Sequence, residues 1–145
     1  MTLQNLLGRS LDGITPDKTQ IAKLLAAAQR NIQDAQLSAL SAENRFDAAY
    51  KAIMQLSMAA LQAHGYRTLT SKPGHHQTAI QTLPLTVSLP QSQVILLDAL
   101  RKQRHLADYS GDLVSDAAMT DCLKSALTLQ AHVVHWLKTN KPDLL

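Results

Sequence analysis

The chain has few of the residues on which specialised small domains depend. A single cysteine, Cys122, excludes an intramolecular disulfide and a paired-cysteine zinc motif. One Phe, one Trp and three Tyr stand beside abundant Leu and Ala, a composition that favours helix-on-helix packing over a sheet. Five Gly and five Pro in 145 residues leave no interdomain linker or low-complexity tract, no glycine-rich phosphate loop and no Gly-x-Ser-x-Gly elbow. No run reaches the roughly 18 apolar residues of a membrane span. The opening MTLQNLLGRSLDG lacks the basic-then-apolar pattern of a secretory leader, so the expected location is cytoplasmic, away from membranes. Neither sign of charge dominates. The net charge of +3, from 14 basic and 11 acidic residues, permits an anionic partner but is lower than that of strong nucleic-acid binders.

The remaining content is 46% apolar and 17% charged, enough for one core, and the expectation is a single domain over 1–145. Thr15-Pro16-Asp17 is a helix-opening signal, and Ile21, Leu24, Leu25, Ala28 and Ile32 recur at helical spacing to about residue 38. A second helix is expected from about Ser41, through Phe46, Tyr50, Ile53 and Leu61, to a stop at Gly65. Tyr66 to Gly74 reads as a loop, His75 to Leu83 as a short helix ending before Pro84, and Leu85 to Leu89 as a connector. Ser88-Leu89-Pro90 opens a helix carrying Val94, Leu97 and Leu100 that stops near Gly111. Ser115-Asp116 opens the last, with a seam of Ala118, Cys122, Ala126, Leu129, Val133 and Leu137. The fold class is therefore all-α, an antiparallel up-and-down bundle of four long helices and one short one.

Three stretches occur together in an informative order: Asn44-Arg45-Phe46-Asp47-Ala48-Ala49-Tyr50, then His64-Gly65-Tyr66-Arg67, then the run from Leu100 to Tyr109 followed by Gly111-Asp112-Leu113-Val114-Ser115. Together they resemble the HEPN (higher eukaryotes and prokaryotes nucleotide-binding) superfamily over about residues 43 to 138. On that resemblance, 41–139 is the core bundle and 1–40 an N-terminal extension helix. It implies a homodimer formed through the helix containing Arg104 and the last long helix. It also implies RNA or a nucleotide-bearing partner, a toxin–antitoxin or defence setting, and a nucleotidyltransferase-type or antitoxin protein acting on the chain.

HEPN ribonucleases carry an Arg and a His with four to six residues between them and need neither metal nor cofactor. The His moves a proton as a 2′-hydroxyl attacks the neighbouring phosphate, and the Arg holds the developing charge. Here Arg104 aligns with the Arg, but five residues on stands Tyr109, a phenol whose ordinary pKa of about 10 makes it a poor base. By this resemblance the candidate catalytic residues are Arg104, His105 and Tyr109, and the candidate RNA contacts are Arg101, Lys102 and Arg104. Helical spacing puts Arg101, Arg104, His105 and Asp108 on one face, read as lying opposite Leu97 and Leu100. Ordinary surface pairing, Asp98 with Arg101 and Arg104 with Asp108, accounts for the same residues. The rival function is a non-catalytic dimeric protein–protein interaction module.

Other residues carry less. His132 and His135 have ligand-like spacing but no companion carboxylate, so no metal is expected. His75-His76, after Pro73-Gly74, is a helix-start pair that can cap a loop or touch a phosphate. Met54 and Met58 read as packing, and Cys122 as a buried, unreactive thiol.

Overall fold

A computed structural model describes residues 1–145. With 72% of residues helical and 5% in strands, the all-α class holds. The elements are α1 (Leu3–Leu6), β1 (Leu11–Gly13), α2 (Lys18–Ala35), α3 (Ala42–Ala63), β2 (Tyr66–Thr68), α4 (His75–Gln81), α5 (Leu83–Val87), α6 (Gln91–Ser110) and α7 (Asp116–Asn140), then a 3-10 turn at Pro142–Leu144.

The axis of the structure is α3, buried along nearly its whole length from Phe46 to Ala63 and packed most extensively against α2 and α7. Its small residues Ala49, Ala52, Ala59, Ala60 and Ala63, all fully buried, let neighbouring backbones approach closely, while Phe46, Ile53 and Leu56 fill the space between. The expected α7 seam is buried in full, with Met119 added. The N-terminal helix α2 contributes Ile21, Ala28, Ile32 and Ala35 to the same core cluster as α3 and α7. No helix is long and apolar enough to cross a membrane.

Helix ends follow local chemistry. The Ser41 and Ser115 hydroxyls accept the backbone N–H groups of Asn44 and Ala118, each at 3.1 Å, and cap α3 and α7. At α2 the cap is Asp17, whose carboxylate accepts the Thr19 N–H at 2.9 Å, so the helix starts at Lys18 and not at Pro16. It ends at Ala35, three residues short of expectation, where the Arg45 side chain donates to the Ala35 carbonyl at 2.7 Å.

Three expectations need correction. Tyr66–Thr68 is a strand, pairing antiparallel with β1 in the register Leu11↔Thr68, Asp12↔Arg67 and Gly13↔Tyr66. An ion pair of 2.9 Å joins Asp12 to Arg67 across that ribbon. Pro84 does not end a helix; it sits in the first turn of α5, where its missing N–H costs nothing, and this makes Leu85 to Val87 helical instead of a connector. Finally, α6 begins at Gln91, with Pro90 as the flanking residue.

The end of α5 is clamped by two histidines. His64 Nε2 lies 2.7 Å from the Thr86 carbonyl and His132 Nε2 lies 2.6 Å from that of Val87, so each ring serves a helix-end carbonyl lacking an intrahelical partner. Burial holds the His64 imidazole below its ordinary pKa, keeping it neutral and able to donate through one nitrogen. His135, one turn further along α7, is exposed, while His132 is spent on the Val87 carbonyl.

Candidate anion site

The inward face of α6 changes character along its length. Val94, Leu97 and Leu100 are buried, and one turn on the same face carries Arg101, Arg104 and Asp108. The two arginines are therefore not opposite the leucines. Arg101 lies seven residues after Val94 and Arg104 seven after Leu97, a spacing of two turns, which leaves both guanidinium groups half-buried under the body of the protein.

Asp98 ties down the first cation: its Oδ1 accepts Arg101 Nε at 2.8 Å, and its Oδ2 lies 3.5 Å from Lys102 Nζ. Those contacts hold the Asp98 carboxyl below the usual carboxylate range, with the Arg101 hydrogen bond as the largest cause. Arg104 is placed differently. Its Nε sits 3.5 Å from Asp47 and 3.9 Å from Asp108, near enough for attraction but not for a hydrogen bond, and this buried N–H has no acceptor. The guanidinium carbon lies 5.0 Å from the centroid of the Tyr50 ring, a cation–π arrangement.

Tyr50 is itself buried, and its hydroxyl is 3.1 Å from His76 Nδ1. Burial pushes the phenol up to about 12, against the lowering effect of Arg104 and Arg101, so it keeps its proton at neutral pH. Burial also lowers the His76 pKa, helped by His75, Arg104 and Arg101, so the imidazole is neutral. A neutral His76 and a protonated Tyr50 share one hydrogen bond in either direction. If the phenol donates, Nδ1 is the acceptor and Nε2 carries the ring proton.

Arg104 stands between two cavities of opposite character. One, of about 410 Å³, has Asp47, Tyr50, Lys51, Gln55, His76 and Arg104 on its polar side and Leu24, Met54 and Met58 along its apolar wall, so that Asp47 borders both cavities. The other, of about 300 Å³, is lined by Glu43, Asp47, Asp108 and Asp112. An anion is better placed in the first, where Lys51 and Arg104 outnumber the single carboxylate of Asp47, than in the second, where four carboxylates surround Arg104.

Arg101 and Arg104 thus come together with Tyr50 and His76. His105 and Tyr109 do not join them. They lie on the outer side of α6 with ring centroids 4.5 Å apart, and Tyr109 is 81% exposed. Lys102 is also at the surface. Sequence reading missed Tyr50 as a site residue, although the stretch from Asn44 to Tyr50 already carried the family resemblance. It treated His76 as one half of a local pair, when its principal partner is 26 residues away. Comparison of the chain with known protein families, curated proteins and solved structures finds no match.

Proposed function

We propose that the chain is a HEPN-type protein that binds RNA, or a nucleotide-bearing partner, by holding a phosphate group at Arg104, Tyr50 and His76. On this reading α2, α3, α6 and α7 are the four long helices of a HEPN-like antiparallel bundle, and the short helical unit before α6 supplies His76. The observation that carries the proposal is the buried Arg104 Nε, which has no acceptor although the guanidinium is fixed over an aromatic ring. A buried donor without a partner costs about 1–3 kcal/mol, and a phosphate oxygen that takes the place of the Asp47 and Asp108 carboxylates, now at 3.5 and 3.9 Å, removes that cost.

With Tyr50 as the donor, the same chemistry favours binding over cleavage, whereas the reverse direction would leave His76 Nε2 free as a base. Breaking RNA without a metal requires a base for the 2′-hydroxyl proton. When Tyr50 donates to His76 Nδ1, Nε2 is a hydrogen-bond donor suited to a phosphate oxygen and cannot accept that proton. His105 and Tyr109 lie exposed on the outer side of α6, outside the Arg104 cavity.

The test is retention of a mixed RNA across a salt series in EDTA, for the native protein and for Arg104→Ala. Retention that weakens with salt, with a slope about one unit shallower in the variant, supports the phosphate contact. Unchanged retention refutes it. Cyclic-phosphate cleavage products would overturn the argument against a base.

A second reading, the dimeric interaction module, is favoured by a different observation. Ile95 and Leu96, then Leu106 and Tyr109, make an exposed apolar strip on α6 that is interrupted by Lys102, each of the four being at least 59% accessible. The homodimer through α6 and α7 would cover this strip under either reading, and an antitoxin or nucleotidyltransferase-type protein is the alternative occupant. Leu106→Asp should then convert a dimer to a monomer in sedimentation. A native protein that is already monomeric removes the homodimer.

A further inference from the structure

We propose that the cavity beneath the β1–β2 ribbon is a nucleobase pocket read by the Gln62 side-chain amide. This deepens the RNA-binding reading and rests on it for the identity of the ligand. The cavity, of about 430 Å³ and open to solvent on one side, is lined by the segment from Ile14 into α2, the end of α3 and strand β2. That volume lies in the range of small-ligand sites.

Gln62 lines the cavity from the last turn of α3 and is only 8% exposed. Its Oε1 is sealed from solvent and has no hydrogen-bond partner. Rotating the amide by half a turn exchanges the two ends and leaves a buried N–H unpaired instead, so the deficit belongs to the position and not to the choice of rotamer. Turning the side chain about its terminal torsions brings the amide into the cavity, where a ligand that offers a donor beside an acceptor satisfies both ends at once. The Watson–Crick edges of the nucleobases have that pattern, and glutamine pairs with adenine through two such bonds.

The rest of the lining suits a flat heterocycle. Leu24, Met58 and Leu61 give apolar walls, and the half-buried Tyr66 offers an aromatic face of the kind on which bases stack. Arg67 at the rim is engaged by Asp12, so the pocket has no free cation for a phosphate and must take the uncharged part of the ligand.

Leu24 and Met58 also line the Arg104 cavity, so the two cavities meet at these side chains. Gln62 lies twelve residues along α3 from Tyr50, a separation of about 18 Å along the helix axis. The ligand class is thus a short single strand with one phosphate on Arg104 and a base, more than one nucleotide away, at Gln62.

Free nucleosides test the pocket without involving the phosphate site. Binding of adenosine and uridine to the full chain is measured by chemical-shift titration, beside N6,N6-dimethyladenosine and 3-methyluridine, in which methyl groups replace the donating hydrogens. Both natural nucleosides should bind, the methylated forms about tenfold more weakly. Gln62→Leu should weaken the natural pair to the same extent, whereas Arg104→Ala should leave them unchanged. Absence of nucleoside binding, or equal affinity for native and methylated forms on the native protein, overturns the pocket irrespective of how the variant folds. Nucleoside binding with these properties in a protein that retains no RNA would keep the pocket and discard the phosphate reading; RNA retention without nucleoside discrimination would do the reverse.

Discussion

Removing the Tyr50 hydroxyl, while leaving the ring in place, separates two contributions that meet at that side chain. The phenol is 2% exposed, and its hydroxyl has one protein partner, His76 Nδ1 at 3.1 Å. Tyr50→Phe deletes that hydrogen bond and leaves the aromatic face under Arg104, so the cation–π contact survives. A hydrogen bond of this kind contributes about 0.5–1.5 kcal/mol net, and the abandoned His76 nitrogen lies in a half-buried position that water reaches only partly. The expected loss in unfolding free energy is therefore about 1 kcal/mol. Combining Tyr50→Phe with His76→Ala gives the decisive number, because the second change removes the same partner from the other side. Urea denaturation of the native protein, the two single variants and the double variant should yield a coupling energy of about 0.5–1.5 kcal/mol. Additive losses, with coupling indistinguishable from zero, would mean that the hydroxyl and the imidazole do not interact and that His76 is not held in the site.

Two other expectations concern stability. Burial lowers the pKa values of His64 and His76 from 6.5, so in the pH range between the folded and unfolded values the unfolded chain binds more protons than the folded one. Both contributions are intact above about pH 7 and are lost as pH falls through the unfolded value toward the lowered folded values. Unfolding free energy measured from pH 7.5 to 5.5 should decline, and His64→Gln should flatten part of that decline; a stability that rises on acidification contradicts the burial of both rings. Gly65 is in the left-handed region at φ +84°, and a Cβ there would meet the Ile14 carbonyl oxygen at 3.0 Å. Gly65→Ala should thus cost at least about 1 kcal/mol in denaturant titration, through both backbone strain and displacement of the ribbon. No loss would mean that the turn relaxes freely.

What the sequence made legible was local and periodic. The α7 seam repeats at helical spacing for five turns, and every residue named in it is buried, because no competing signal interrupts the run. Ser41 and Ser115 stood directly before apolar periodic segments and do cap them. The ribbon was illegible for the opposite reason: each strand is three residues long, and Asp12 meets Arg67 across 55 positions of chain, leaving no period within either strand to detect. Pro84 misled because the residue can end one helix or begin the next, and only the packing of Leu83 and Val87 into the core decides between these.

The site was legible in part. Arg101 and Arg104 were singled out, but the assumption that charge marks the solvent face placed them opposite Leu97 and Leu100. Helix geometry places them in continuation of the Val94–Leu97 stripe, where long side chains can be half-buried with their charges held by Asp98 and Tyr50. The expected surface pairs are present too, Asp98 with Arg101 at hydrogen-bond distance and Arg104 with Asp108 only loosely. Tyr50, His76 and Arg104 come from three helices, and no spacing rule connects positions that only the tertiary fold brings together.

The central claim is that Arg104 is held ready for a phosphate. Its most direct measurement is RNA retention against salt for the native protein and Arg104→Ala, with circular dichroism showing that the variant remains folded. The account predicts weaker retention and a salt slope shallower by about one in the variant. A folded variant that retains RNA as the native protein does, with the same slope, would contradict it.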